Sequence, residues 1–316
     1  MRPKQQQNHS STHYSRYDMK ALIIGMGIGQ LYRDIYARKG WTVVTVDTVK
    51  PADFTDVRDV IDTDFDVAHV CTPNFLHKHH ASMAADRAKI VFVEKPGVSD
   101  ALAWGMLTNQ NKQAKIVMVK NNQHRSEIED LKILAANSTL IDINWINENR
   151  VPGPGTWFTT KKDAWGGVSR DLMPHLISIY ISLSGRDYEE TPTDIICHRK
   201  WTLEDLIAAG TEYGTIDPEG VYDVDDHASM SFQIGEQQFI LNACWRNAKE
   251  DDRAIHFDDS SHELGLCPED AYERMIDTAV ANLHNEDYWY EQMLQDMFIH
   301  RMMEKLSDAY SKTVSN

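Results

Sequence analysis

From Met19 onward the chain alternates short apolar runs with amphipathic segments, and no other feature restricts its fold as much. The runs are MKALIIG, WTVVTVD, DVAHVCTP, IVFVEKP and KIVMVKNN. Between them lie LYRDIYARKG, HKHHASMAADRAK and DALAWGMLTNQNKQ, each with helical spacing of its apolar residues. Strands that are apolar along their whole length belong to parallel sheets covered on both faces. The expectation for this half is an α/β fold with a doubly wound parallel sheet. Ligands of such sheets bind outside the carboxyl ends of the strands. There each run finishes in glycines or polar residues: Gly25 to Gly29, Asp47, Thr72 to Asn74, Glu94 to Pro96, Asn121 and Asn122.

Gly25, Gly27 and Gly29 stand between a strand and a helix, where missing side chains allow a tight turn and close approach of a pyrophosphate. The helix N-terminus adds N–H donors and a favourable dipole. The sixth position of the G-x-G-x-x-G pattern is Gln30. Either Gln30 replaces the third glycine, or Gly29 takes that role in a shorter loop. Asp47 closes the second strand about 20 residues later, where a carboxylate accepts hydrogen bonds from an adenosine ribose. It should repel a 2′-phosphate, which favours NAD over NADP, although Lys50 nearby tempers that preference. An ordinary strand-end turn residue is the plainer alternative for Asp47.

After SEIEDLKILAAN, which reads as a helix, the texture changes. LIDINWINENR, TDIICHRKW, HASMSFQIG and QQFILNACW resemble strands of an antiparallel sheet, with Gly235 to Gln238 as a hairpin loop. One helix, SRDLMPHLISIYISLSG, interrupts them. Asp171 and His175 are spaced i, i+4 on it and so share a face. A carboxylate beside an imidazole of near-neutral pKa is a candidate proton-transfer pair. A surface or capping contact is the commoner meaning of such spacing. The apolar Leu172, Leu176, Ile177 and Tyr180, and the preceding Trp165-Gly166-Gly167, favour a buried site.

At 316 residues the chain has the length of about two domains. A formal charge of −16 argues against nucleic acid or an anionic membrane as partner. Cys71, Cys197, Cys244 and Cys267 are scattered with no C-x-x-C pair, so reduced thiols and a cytoplasmic location are expected. No apolar run approaches the roughly 20 residues of a membrane helix. The first 18 residues are polar and read as a disordered extension.

Taken together, the glycine turn, CTPNFLH, VEKPG, WGGVSRDLMPH and DDHASMSFQIG resemble the Gfo/Idh/MocA oxidoreductases (glucose-fructose oxidoreductase, inositol dehydrogenase, MocA), in the family's order and over nearly the whole chain from Met19. The resemblance implies an N-terminal Rossmann domain over residues 19–122. It implies a C-terminal α+β domain over 123–316 with a large, mostly antiparallel open sheet that mediates dimers or tetramers. The C-terminal helices could pack back on the Rossmann domain. It implies a catalytic set of Lys95, Asp171 and His175. His175 takes the proton of a substrate hydroxyl as hydride leaves for the nicotinamide, Lys95 holds that oxygen, and Asp171 positions the pair. Thr72, Pro73, Asn74 and His77 match the segment lining the cofactor, with Glu94 at its nicotinamide side. The implied cofactor is NAD, with NADP possible, and the implied substrate a small sugar, cyclitol or nucleotide-sugar.

The chain departs from the family in places. Met173 stands where the family has glycine in D-x-G-x-H, and VKNNQHR replaces G-Y-N-R-R-F, with Asn122 matching its asparagine. Trp157 and Trp165 are candidates to stack on a sugar ring or to fill core. Arg150 is a candidate phosphate or carboxylate contact or a surface charge. His77, His79 and His80 do not converge on one helix face, so no metal is expected there. Asp223 to Asp226 reads as a structural segment, and the acidic EDDR and HFDDSSHE as a solvated loop. A cis Lys95–Pro96 bond is expected to set the direction of the lysine. Two other readings compete with a dehydrogenase: a relative that keeps NAD bound and cleaves glycosides, and a non-catalytic dinucleotide sensor. Retention of Lys95, Asp171 and His175 together argues against the sensor.

Overall fold

The computed structural model describes residues 19–62, 64–185 and 191–314. The N-terminal extension, residues 1–18, lies outside the described residues. β1 (Lys20–Ile24), β2 (Thr42–Val46), β3 (Phe65–Val70), β4 (Ala88–Val93) and β5 (Lys115–Met118) form one sheet in the order β2-β1-β3-β4-β5. Every pairing in it is parallel. Helices α1 (Gly29–Arg38), α2 (His77–Ala85) and α3 (Ala101–Gln110) connect the strands. The chain winds from β1 to β2, then crosses to β3 on the other side of β1. The crevice at this reversal lies between the loop after β1 and the loop after β3, and ligands of doubly wound sheets sit there. The two loops nearly touch: a Cβ on Gly25, which has φ +95°, would lie 2.6 Å from the Cys71 carbonyl oxygen.

After α4 (Ile128–Ala136) comes β6 (Leu140–Ile146), then three short helices in close succession. These are α5 (Lys161–Ala164), α6 (Val168–Asp171) and α7 (Met173–Ser184). β7 (Asp194–His198), α8 (Leu203–Ala209), β8 (His227–Ile234) and β9 (Gln237–Cys244) follow, then β10 (Asp252–His256) and β11 (Ser261–Glu263). These strands make a six-stranded sheet in the order β11-β10-β6-β9-β8-β7. It is antiparallel except at β6–β9, which run parallel. The inner face packs on α7, where Tyr180 stacks on Phe232 at 4.3 Å and meets Phe239 edge-on. On the outer face Asp142, Asn144, Ser229 and Asn242 hydrogen-bond to one another across three strands.

Three expectations are corrected. The helix carrying Asp171 and His175 is broken at Leu172, because Pro174 has no N–H to donate and starts α7 as a new helix. The acidic stretch expected as a solvated loop supplies β10 and β11. Only Ala254 and Ile255 of β10 are buried, so the sheet edge is written almost wholly in polar residues. The hairpin turn is only Gly235-Glu236, and Gln237 and Gln238 already pair with β8.

The chain ends in α9 (Glu269–Ala281) and the long α10 (Glu286–Val314). Met275 and Ile276 of α9 share a core with Tyr32 and Tyr36 of α1, on one face of the parallel sheet. α10 crosses the other side, touching α3, β5, α6, α7 and β7. Along it Asp296 forms a fully buried ion pair with Lys120 and accepts the Met118 N–H at 3.1 Å. His300 stacks on Trp104 and receives the Val98 N–H at 3.2 Å. Gly97 has φ +77°, and a Cβ there would lie 2.6 Å from the His300 ring, so α10 presses directly on the turn after β4.

Candidate active site

A cleft of about 1140 Å³ runs along the carboxyl ends of the parallel strands and continues to the second sheet. Gly25, Gly27 and Asp47 line one end; Lys95, Asp171 and His175 line the other, with Thr72, Pro73, Asn74, His77 and Glu94 between. Gly27 leaves open space: an added Cβ would meet nothing within 4 Å. No side chain caps the start of α1; Gln30 and Leu31 turn their N–H groups back to the Gly27 and Ile28 carbonyls, so a ligand in that space would be met by the N–H groups of Ile28 and Gly29. Gly29 differs. Its Cβ would sit 2.8 Å from the Ile23 side chain, so it serves the packing of α1 on β1 rather than the cleft wall. This packing fits the reading in which Gly29 takes the role of the third glycine, and Gln30 bonds back to the Met26 carbonyl at 2.9 Å.

Asp47 is ordered by backbone donors: Met26 at 2.6 Å, Val49 at 2.7 Å and Lys50 at 2.8 Å. Burial opposes its charge, but these amides outweigh it and lower its pKa. Two carboxylate oxygens offer about four acceptor positions, so room remains for a ribose diol. A glycine cradle, an uncapped helix start and an ionised strand-end carboxylate together fit a dinucleotide.

His77 fastens two of the strand-end loops together. Its Nδ1 lies 2.7 Å from the Gly97 carbonyl and its Nε2 2.8 Å from that of Thr72. Burial lowers its pKa to about 4, so the neutral ring donates to one carbonyl at a time. Asn74 donates to the Ala164 carbonyl at 3.0 Å and ties the same loop to α5. The Glu94 carboxyl accepts from the buried Tyr32 hydroxyl at 2.6 Å, and burial raises its pKa.

The Lys95–Pro96 peptide is cis. The Lys95 ammonium pairs with the Asp171 carboxylate and donates to its carbonyl at 3.1 Å. Both side chains keep about a fifth of their surface exposed, 22% and 20%. Burial works against both charges, yet each partner holds the other ionised, raising the Lys95 pKa and lowering that of Asp171. The second Asp171 oxygen accepts the Trp245 indole N–H at 2.9 Å. His175 lies beside this pair but bonds elsewhere: the Asn122 side-chain nitrogen is 3.0 Å from its Nδ1, and Trp145 stacks on its ring. Burial, then the Lys95 charge, lowers its pKa to about 3. Among the described residues no group of histidine, cysteine, aspartate and glutamate could hold a metal.

Three other residues named from the sequence are not on the cleft wall. Asn122 is fully buried between Arg125 and His175, and its neighbour Asn121 lines the cleft instead. The Arg150 guanidinium lies over the Tyr213 ring at 4.5 Å, so Tyr213 reaches the cleft and Arg150 backs it. Trp165 is held in a left-handed conformation, φ +68°, to end α5. Trp157 does line the cleft, stacked on Phe158 at 4.0 Å. Asp225 and Asp226 are buried; Asp225 accepts from Gly167 and Ser169 to start α6, and Asp226 from Lys200, Trp201 and Tyr222. The sequence reading passed over Arg125, Trp245, Tyr32 and Tyr213. Trp245 follows a strand directly, a position the reading weighed only in the first sheet.

Residues 34–121 match the GFO_IDH_MocA family, described as an oxidoreductase family with an NAD-binding Rossmann fold. The match covers most of the parallel-sheet domain. A protein of Amycolatopsis mediterranei (strain S699), assigned provisionally as a UDP-kanosamine synthase oxidoreductase subunit, is 27% identical over 124 residues. That match spans 38% of this chain and only 35% of the relative's length. Among solved structures, a levoglucosan dehydrogenase in complex with NADH and levoglucosan aligns with a TM-score of 0.65 at 15% identity, covering 93% of this chain and 98% of that one. An NAD-binding oxidoreductase from Klebsiella pneumoniae gives 0.67 at 15%, covering 94% and 98%. At such identities the likeness shows the fold, here extending from the parallel-sheet domain through the six-stranded sheet. No helix among the described residues is long and apolar enough to cross a membrane.

Proposed function

We propose that this chain is a Gfo/Idh/MocA oxidoreductase, an NAD-dependent dehydrogenase acting between a secondary alcohol and a ketone of a sugar, cyclitol or nucleotide-sugar. The observation that carries the reading is the meeting of Lys95, Asp171 and His175 in the same cleft as Gly25, Gly27 and Asp47. NAD would lie with its pyrophosphate over Gly27 and the start of α1 and its adenosine ribose at Asp47. It would supply hydride acceptance or donation. The protein's part is to hold the substrate oxygen and move its proton. Lys95 and His175 face the cleft for this, and Asp171 keeps the lysine charged and in place. Asp47 favours NAD because a 2′-phosphate would meet an ionised carboxylate. Trp157, Phe158 and Tyr213 give the cleft mouth apolar ring faces, suited to the C–H face of a sugar or cyclitol ring.

The test is a panel of sugars, cyclitols and nucleotide-sugars incubated with purified protein and NAD, or their ketones with NADH, followed by NADH absorbance. Turnover should appear on at least one substrate and fall roughly 100- to 10,000-fold in Lys95→Ala, as loss of a proton-transfer group does. Release of a glycoside aglycone without net NADH would replace this reading with the glycoside-cleaving one. NAD binding without any turnover would leave the sensor.

A further inference from the structure

The hydrogen bonds around His175 fix more than its position. Arg125 is 4% exposed and sits beneath Asn122, with Nε donating to the Asn122 side-chain oxygen at 2.8 Å and Nη2 to the Gly265 carbonyl at 2.6 Å. A guanidinium has donors and no acceptor, so it can only face the oxygen of the Asn122 amide. The amide NH2 is therefore turned to the other side, where His175 Nδ1 lies 3.0 Å away. An NH2 is donor only, so Nδ1 must accept and cannot carry a proton. A neutral imidazole bare at Nδ1 carries its hydrogen at Nε2, the edge turned away from buried Asn122 and toward the cleft. Asp171, whose oxygens bind Lys95 and the Trp245 indole, leaves Nδ1 to the Asn122 NH2.

We propose that Arg125 and Asn122 act as positioning residues that keep His175 neutral with its proton on Nε2, so that it faces the substrate as a hydrogen-bond donor and not as a base. The inference deepens the dehydrogenase reading and departs from the role that the family resemblance implies for this histidine. With Nε2 already protonated, His175 has no lone pair in the cleft to take a hydroxyl proton. Giving up Nε2–H would leave an imidazolate. Charging the ring would place a second proton at Nδ1 against the Asn122 NH2. Its function is then to polarise the substrate oxygen. The proton passes through Lys95 Nζ: the ammonium gives it to the substrate oxygen while the carbon gains the hydride that NADH would supply, so that C=O becomes CH–OH. The resulting amine takes the proton back in the reverse reaction, in which NAD would take the hydride. The charged groups acting on the ring are Lys95, Asp171 and Arg125. The two cations disfavour an imidazolium, and Asp171 is already neutralised by Lys95.

The experiment reads the tautomer directly, in the protein without cofactor or substrate. Histidine is labelled with ¹⁵N, and long-range ¹H–¹⁵N spectra are recorded from pH 5.5 to 8. The signals of His175 among the 14 histidines are assigned by their loss in His175→Gln. Nδ1 should show the shift of a bare nitrogen and Nε2 that of a protonated one, unchanged across the range. In Asn122→Asp a carboxylate replaces the donor. The proton should move to Nδ1, and the ring should begin to titrate within the range. A wild-type His175 with its proton on Nδ1, or charged at pH 7, overturns the proposal, whether or not Asn122→Asp folds. If no substrate is turned over while His175 shows Nε2–H, the dehydrogenase reading fails and the tautomer assignment stands.

Discussion

Asp171 binds an ammonium through one carboxylate oxygen and an indole N–H through the other, and with its pKa lowered it is a fixed counter-charge rather than a proton carrier. The Trp245 N–H stabilises the ionised form and so helps to lower its pKa. In Trp245→Phe that support is lost and the Asp171 pKa should rise. The acid limb of the kcat/KM profile should then move to higher pH, with a loss of roughly 10- to 100-fold at neutral pH for a hydrogen bond to a charged group. An unchanged pH profile would mean that the indole only fills space. The roles of Lys95, Asp171 and His175 were open to proposal from the sequence because the family resemblance implies them at these motif positions. Their partners were not. Asn122 and Arg125 stand three positions apart, but nothing in that spacing says that one orients the other, or that an imidazole 53 positions later receives the amide.

At the scale of elements, what could be read depended on burial. The strands of the parallel sheet are covered on both faces and show as apolar runs. β10 and β11 close an edge, and their polar alternation looks like a loop until β6 is placed beside them. The break at Leu172 has a cause visible in the sequence, Pro174, yet the helical spacing continues across it. The pairing of α10 with β5 is invisible locally, since Lys120 and Asp296 are 176 positions apart. With 2% and 0% side-chain exposure, this ion pair is costly to break singly. Asp296→Leu should lower stability by about 3–5 kcal/mol, read as a shift of the urea midpoint, because it leaves a buried ammonium alone. Lys120→Met combined with Asp296→Leu should recover most of that loss. Equal destabilisation in the single and double variants would show that the Met118 N–H bond to Asp296, and not the charge pair, is what matters.

For the whole molecule, burial of neutral imidazoles sets the acid limit. His69 and His300 have pKa values lowered to about 3 and His77 to about 4, in each case chiefly by burial. Their unfolded values are near 6.5, so between these limits the unfolded chain binds protons that the folded one does not. The stability they carry is complete above pH 6.5 and falls as pH drops. Each contributes up to about 1.4 kcal/mol per pH unit. The thermal midpoint should therefore fall markedly from pH 7 to pH 5. A flat midpoint over that interval would show that these rings are charged in the folded state or exposed.

The path of α10 also bears on how the protein is made. The parallel sheet is synthesised before α10, yet α10 is the wall that covers β5 and α3 and presses on Gly97. Until then the nascent sheet keeps Trp104 and the Lys95 turn without their final neighbour, a period in which incomplete domains expose apolar surface. The nucleotide domain is begun before the second sheet is made and completed only after it, so a ribosome that stalls before residue 286 leaves an unfinished cofactor site rather than a finished domain awaiting its partner.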